Sequence, residues 1–438
     1  MNIDQTTLQD LAIFHADEDQ SVLSKLDFTQ TSGGRHYLVH LLSHPHQQLQ
    51  LILETQQTLQ LIGDKLEQWP SQISNGTIMV LEKFYESQVD RIPFQPTPVG
   101  ALAYKLFHGP DYSLVHYTVG HATEFLKGMQ QLLQLLNGAA APPLLQKKLA
   151  RIESLLQRDT ARQMLQAPPK EQISPATSLN WGYFLHNRYK AAIFELIDVF
   201  SQLDAYYSLA KAVQVYQLRF PEFTSSDTPI MNAEGLWHIL LKQPVSYELS
   251  LHQDSNFIFL TGANMAGKST FIRAVGIASY LAHLGMAVPA RRLQLTVFDG
   301  ILSNIQVSDN IIKGESYFFN EVQRIKSTLT RINDGGKWLV LIDELFKGTN
   351  VQDAMRCSST VIKGLLKISN SLFVLSTHLY EIAEELKPHA NIAFRFFETH
   401  VHDDQLYFSY QLKEGISNDR LGYLILKREG VVEMIDRL

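Results

Sequence analysis

Thr261-Gly262-Ala263-Asn264-Met265-Ala266-Gly267-Lys268-Ser269-Thr270 is the stretch on which the reading of this chain turns. From Gly262 to Ser269 it fills every position of the pattern G-x-x-x-x-G-K-[ST]. An apolar run, Phe257-Ile258-Phe259-Leu260, precedes it and predicts a buried strand, and the stretch from Thr270 to Leu284 predicts a helix. Glycines allow a sharp turn whose successive N–H groups point inward at phosphate oxygens. The positive end of the following helix adds to that attraction. Lys268 is expected to reach the β- and γ-phosphates, and Ser269 to ligate Mg²⁺. With strand and helix both in place, a chance match in a loop is the weaker reading.

Two more strand ends carry matching chemistry. Trp338-Leu339-Val340-Leu341-Ile342-Asp343-Glu344 is an apolar strand tipped by two carboxylates. Asp343 is expected to hold Mg²⁺, directly or through water, and Glu344 to polarise the attacking water. The bland alternative is an ordinary acidic pair at a strand end. Leu372-Phe373-Val374-Leu375-Ser376-Thr377-His378 repeats the design, and ligands of open α/β sheets gather at such ends. His378 is expected to sense the γ-phosphate or position the water, against the alternative that it is structural, as most of the 16 histidines are. A fourth segment, Gly314-Glu315-Ser316-Tyr317-Phe318-Phe319-Asn320-Glu321, opens a helix with Ser316 where a cap belongs. Phosphate loop, serine-capped helix, Asp-Glu strand and strand-then-His follow in an order similar to the ABC-type ATPase plan. In that plan the capping serine of one subunit closes over the γ-phosphate held by the other.

The rest of the chain bounds the setting. Its 438 residues allow two or three domains, and its apolar fraction of 45% and charged fraction of 19% are ordinary for a globular protein. A net charge of −6 without any Lys/Arg block weighs against a protein wrapped in nucleic acid, while leaving room for a local basic groove. No apolar stretch approaches the roughly 20 residues of a membrane span, and Met1-Asn2-Ile3-Asp4-Gln5 lacks the features of a secretory signal. We therefore expect a cytoplasmic protein with no membrane partner. A lone cysteine, Cys357, excludes an intrachain disulfide and a cysteine-rich zinc site.

Residues 1–222 read as mostly helical. Leu49, Ile52, Leu59, Ile62, Leu66 and Trp69 form one apolar stripe, interrupted at Gln56; Leu196, Phe200, Leu203, Tyr207, Ala210 and Val213 form another. Pro93 to Pro98, Ala141-Pro142-Pro143, Pro168-Pro169 and Pro175 mark loops between helices. Phe220 to Pro229 reads as a linker, after which short apolar runs alternate with helical stretches. That alternation predicts a parallel sheet with crossover helices. The expected class is α + α/β: a helical domain over 1–222 and a P-loop ATPase domain over 223–438.

These motifs closely resemble the MutS family of DNA mismatch repair ATPases. The phosphate loop departs from the family's TGPNMGGKST at Ala263 and Ala266. Asp343-Glu344-Leu345-Phe346-Lys347-Gly348-Thr349-Asn350, with Asp353 after it, resembles DEIGRGTS, and Ser376-Thr377-His378 resembles ATH. Asp299 to Ile311, then Ser316-Tyr317-Phe318, is similar to the linking and signature segments; Glu414-Gly415-Ile416-Ser417 with Gly422 is similar to the end of the ATPase domain. Leu26-Asp27-Phe28-Thr29-Gln30-Thr31, then Gly34, Arg35, Leu38, Leu42 and Pro45, resembles the start of the family's core or lever region. Leu203 to Ala210 resembles the lever helix ahead of the ATPase.

The resemblance implies a helical lever domain leading into an ABC-type ATPase domain. It implies ATP and Mg²⁺ held in a composite site between two such domains, in a homodimer or a heterodimer with another family member. Gly262 to Thr270 would contact the nucleotide, Ser316 would arrive from the other subunit, and Tyr410 falls near the position whose ring stacks on adenine, with a packed strand tyrosine as the alternative. The lever-like segment begins by about residue 20, which leaves no room ahead of it for mismatch-recognition domains, and the stretch between the lever segments is short for a DNA clamp. Phe220-Pro221-Glu222 matches the family's Phe-x-Glu wedge only formally. The implied output is a DNA repair ATPase switch; the alternative is an ATP-gated interaction protein that does not bind DNA directly, and a transporter-type ATPase is a distant third.

Overall fold

The computed structural model describes residues 1–15, 17, 20–89, 91–138, 141–305, 317–402, 405–417, 426–427 and 430–435. The chain divides into two units, one of Met1–Lys25, His44–Leu53 and Tyr216–Leu438, the other of Leu26–Ser43 and Glu54–Val215. A single cut at residue 222 does not describe this division. The N-terminal segment joins the later unit because it supplies a strand and an apolar anchor to it.

The described strands of that unit are β1 (Asn2–Ile3), β2 (Glu222–Phe223), β3 (Met231–Leu236), β4 (Tyr247–Leu251), β5 (Phe257–Thr261), β6 (Arg292–Leu295), β7 (Gly300–Asn304), β8 (Trp338–Asp343), β9 (Ser371–Ser376), β10 (Ile392–His402) and β11 (Gln405–Glu414). They form a seven-stranded sheet, β1-β7-β8-β9-β5-β10-β11, and a four-stranded sheet, β2-β6-β3-β4. Pairing from β1 to β10 in the larger sheet is parallel, and β10–β11 is antiparallel. Every residue of β5, β7, β8 and β9 is buried, as expected of parallel strands covered on both faces. Register sets Leu260 against Ser376 and Ser376 against Asp343, so β5, β9 and β8 end level with one another.

β1 pairs with β7, and Leu11, Ile13 and Val22 are fully buried. Asp10, also buried, accepts from the Ser303 hydroxyl at 2.5 Å and the Ile305 N–H at 3.0 Å. The expected linker also contributes structure: Glu222–Phe223 pairs with β6, and Glu222 meets Arg292 at 2.9 Å. The four-stranded sheet escaped the sequence reading. Its strands are short and half-exposed, as the alternating burial of Tyr247–Leu251 shows, and carry no long apolar run.

In the helical unit several expected breakers are helix starts. Pro98, Pro143 and Pro175 each open a helix, a position where the missing N–H costs nothing. Thr97 and Ser174 cap two of them by accepting from Gly100 and Thr177. The first apolar stripe lies on the helix Leu49–Gly63, with Gln56 buried along with it, while Leu66 and Trp69 lie past the helix end. The second lies on Lys190–Val215, which is buried on most of its circumference rather than along one stripe. Such a helix needs partners for its polar groups as well. Asp204, fully buried, accepts from the backbone N–H of Gln30 at 2.9 Å, from Thr31 N–H at 2.9 Å and from the Thr31 hydroxyl at 2.7 Å. Ser208 donates to Leu26 O at 2.6 Å and accepts from Phe28 N–H at 2.7 Å.

Removing that carboxylate would leave buried backbone donors without an acceptor. Asp204→Ala should therefore destabilise the helical unit by about 3 kcal/mol. The measurement is amide hydrogen exchange at Gln30 and Thr31, and wild-type protection there would refute the role assigned to Asp204.

Candidate functional site

The phosphate-loop motif leaves β5 and turns directly into the helix Lys268–His283. Gly262 and Gly267 adopt φ of 141° and 110°, backbone that a side chain would strain. Met265 takes φ of 67° and projects into solvent, while Ala263 and Ala266, the two departures from the family pattern, are buried. Gly267 is the N-cap, so the first amides of the helix have no intrahelical partners. Thr261 Oγ1 accepts from Ser417 N–H at 2.8 Å, which ties the Glu414–Ser417 motif to the base of the loop. Gly422 lies outside the described residues.

Lys268 opens that helix and is buried. Its ammonium donates to the Gly262 and Ala263 carbonyls, each at 2.9 Å. Burial lowers its pKa to about 8, opposed by the charges of Glu344 and Asp343. Ser269 donates to Asp343 Oδ2 at 2.5 Å, and the Ser376 hydroxyl donates to Asp343 Oδ1. Two hard oxygen ligands thus stand together, one hydroxyl and one carboxylate. This donor set fits Mg²⁺, which takes few protein ligands and fills its octahedron with water and phosphate oxygens.

Glu344 follows directly, at φ of 66°, with its N–H donating to Ser376 O at 3.0 Å. Its carboxylate lies 2.8 Å from His378 Nε2 and 3.3 Å from Lys347 Nζ. His378 Nε2 also lies 3.3 Å from Lys268 Nζ. A proton on Nε2 would serve the carboxylate and leave the lysine contact one of proximity only. Burial opposes ionisation of Glu344, but His378, Lys347 and Lys268 outweigh it and hold the carboxyl at about 2.

Asn264, Met265, Gly267, Lys268, Ser269, Thr270, Glu344 and Tyr410 line one cavity of about 480 Å³ together with Leu241, Gln243, Val245 and Tyr247. That volume lies within the usual range of small-molecule sites. Tyr410 stands beside Gly267, at φ of 53°, with a partly exposed ring. The structure therefore gathers Gly262–Thr270, Asp343, Glu344, His378 and Tyr410 at one end of the sheet. Ser316 lies outside the described residues. Sequence reasoning missed the 241–247 wall, which carries no motif, and Lys347, whose signal was its spacing of three from Glu344.

The depressed Glu344 value makes a pH prediction. Its contribution to stability is complete above the ordinary 4.5 and is lost as pH falls toward 2. His378→Ala should shrink that window and move acid unfolding to higher pH, and an unchanged acid transition would contradict the pairing.

Residues 258–436 match the family model described as MutS domain V. The DNA mismatch repair protein MutS of Petrotoga mobilis is 29% identical over 258 residues, covering 57% of this chain and 31% of that protein. MutS of Staphylococcus haemolyticus is 30% identical over 266 residues, 58% of this chain and 29% of the relative. MutS protein homolog 4 of Mus musculus is 30% identical over 239 residues, 52% and 24% respectively. The similarity thus spans less than a third of the length of these relatives and lies over the half of the chain that holds the loop, the Asp-Glu strand and the histidine. Over residues 258–436 the chain is therefore similar to MutS domain V.

Proposed function

We propose that the chain is an ATP-hydrolysing switch of the DNA mismatch-repair type, working as a dimer through its domain V units. The observation that carries this reading is the meeting of Lys268, Ser269, Asp343, Glu344 and His378 at the level ends of β5, β8 and β9. The similarity to DNA mismatch repair proteins supports the repair assignment.

In this reading the loop amides and Lys268 bind the triphosphate of ATP, which would replace the Gly262 and Ala263 carbonyls as partners of the ammonium. Ser269 and Asp343 hold Mg²⁺. When bound, the ion would neutralise charge on the phosphoryl oxygens. Glu344, ionised throughout the physiological range, orients the attacking water. With so low a pKa it is a weak base, so orientation outweighs proton abstraction in its contribution. His378 holds that carboxylate in place, and Tyr410 stacks on the adenine. Each copy's Ser316, which precedes the helix Tyr317–Ile332 in sequence, would close over the γ-phosphate bound by the other. Hydrolysis removes the bridge and lets the dimer relax, moving the helical units as levers on DNA.

Lys268→Ala should abolish ATP binding or turnover, and unchanged hydrolysis would remove the phosphate-loop assignment. Glu344→Gln should keep nucleotide binding while slowing hydrolysis by about 10²-fold or more; a wild-type rate would assign the water to another group. Duplex or branched DNA should bind in an ATP-responsive way, weakening by about tenfold or more between about 50 and 200 mM salt. Absence of binding at low salt would leave the switch without its DNA output.

A further inference from the structure

The turn that follows β8 is held from outside. Glu344 and Phe346 both adopt left-handed backbone, at φ of 66° and 59°. Neither is glycine, and such conformations persist only when surrounding structure imposes them. One restraint is already described, the Glu344 N–H on Ser376 O. The other comes from the helix Tyr317–Ile332, where Glu321 is only 2% exposed. Glu321 Oε1 accepts from Lys347 N–H at 3.1 Å, and Oε2 accepts from Gly348 N–H at 3.2 Å. Successive backbone N–H groups converging on an anion form a nest, here filled by a side chain of the protein itself. One turn earlier on the helix, Phe318 packs on Phe346 with ring centroids 5.7 Å apart.

Lys347 links the two ends of this arrangement. Its backbone is pinned by Glu321, and its ammonium lies 3.3 Å from Glu344 Oε2. We infer that Glu321 is a positioning residue for hydrolysis: it fixes the 344–348 turn so that Glu344 is aimed at the water. Displacing the helix Tyr317–Ile332 relaxes that aim. The inference rests on the role proposed above for Glu344 and adds the element that controls it. Glu321 is not among the described residues that line the cavity, and its hydrogen bonds go to the backbone of the turn, so it would act through the turn.

Glu321→Gln tests this in the full-length protein. The substitution is isosteric, but it replaces one acceptor with an NH₂ that faces a backbone N–H. Single-turnover ATP hydrolysis should slow by about 10- to 100-fold, because small misplacements of an orienting group cost that much. Affinity for ATP should stay within about twofold, since the mutation touches no binding group. In a Glu344→Gln background the same change should cause no further loss, and amide exchange at Lys347 and Gly348 should accelerate. An active wild type with an equally active Glu321→Gln variant, or additive losses in the double variant, would overturn the inference while leaving the site reading intact. A wild type that hydrolyses no ATP would instead overturn the site reading, and the positioning role with it.

Discussion

A buried cation governs the unit that holds the larger sheet. Lys268 sits at the level ends of three parallel strands, and removing an ammonium from water is costly unless it finds close partners. Two loop carbonyls provide them, and the nearby carboxylates Asp343 and Glu344 support the charge without contacting it in the described hydrogen bonds. The surrounding architecture supports this arrangement. The left-handed glycines bring the carbonyls round to the ammonium, and the fully buried strands fix the distances across the edge. Two hydroxyls on Asp343 hold that carboxylate in the same edge. An arrangement of this kind suits a polyanion and a hard cation, because its charges are already placed.

A second device recurs: a buried carboxylate carried on a helix, accepting backbone N–H groups from a segment distant in sequence. Asp204 on Lys190–Val215 holds Gln30 and Thr31; Asp10 on Gln5–Asp10 holds Ile305; Glu321 on Tyr317–Ile332 holds Lys347 and Gly348. Each is at most 2% exposed. A buried charge contributes little net stability, but it is strongly selective for the one geometry that satisfies it. In all three places the backbone held is irregular, where strand or helix pairing offers no partner. The fold uses these carboxylates to specify turns that hydrophobic packing alone would leave loose.

The histidine and the glutamate of the site act as a pair in the same sense. His378 and Lys347 flank the Glu344 carboxylate, so its depressed pKa reflects neighbours that also restrict where it points. That couples charge to geometry: whatever shifts Lys347 or His378 changes both the basicity of Glu344 and its aim.

The sequence alone determined the local chemistry of this protein. Gly262 to Ser269 between a strand and a helix, and Asp343-Glu344 and His378 at strand ends, were readable because each is a contiguous pattern whose residue types leave few other uses. The stripes on Leu49–Gly63 and Lys190–Val215 were readable for the same reason, although periodicity could not reveal that the second helix is buried on most of its circumference. Tertiary structure alone decided what depends on partners far apart in the chain. It brought β1 to the edge of the sheet, assembled a second sheet from short half-exposed strands, placed the 241–247 wall across from Tyr410 and set Glu321 under the turn after β8. Asp10, Asp204 and Glu321 look in the sequence like ordinary surface acids. Only the burial and the distant amides show what they do, because a hydrogen bond is set by distance in space and leaves no period in the chain.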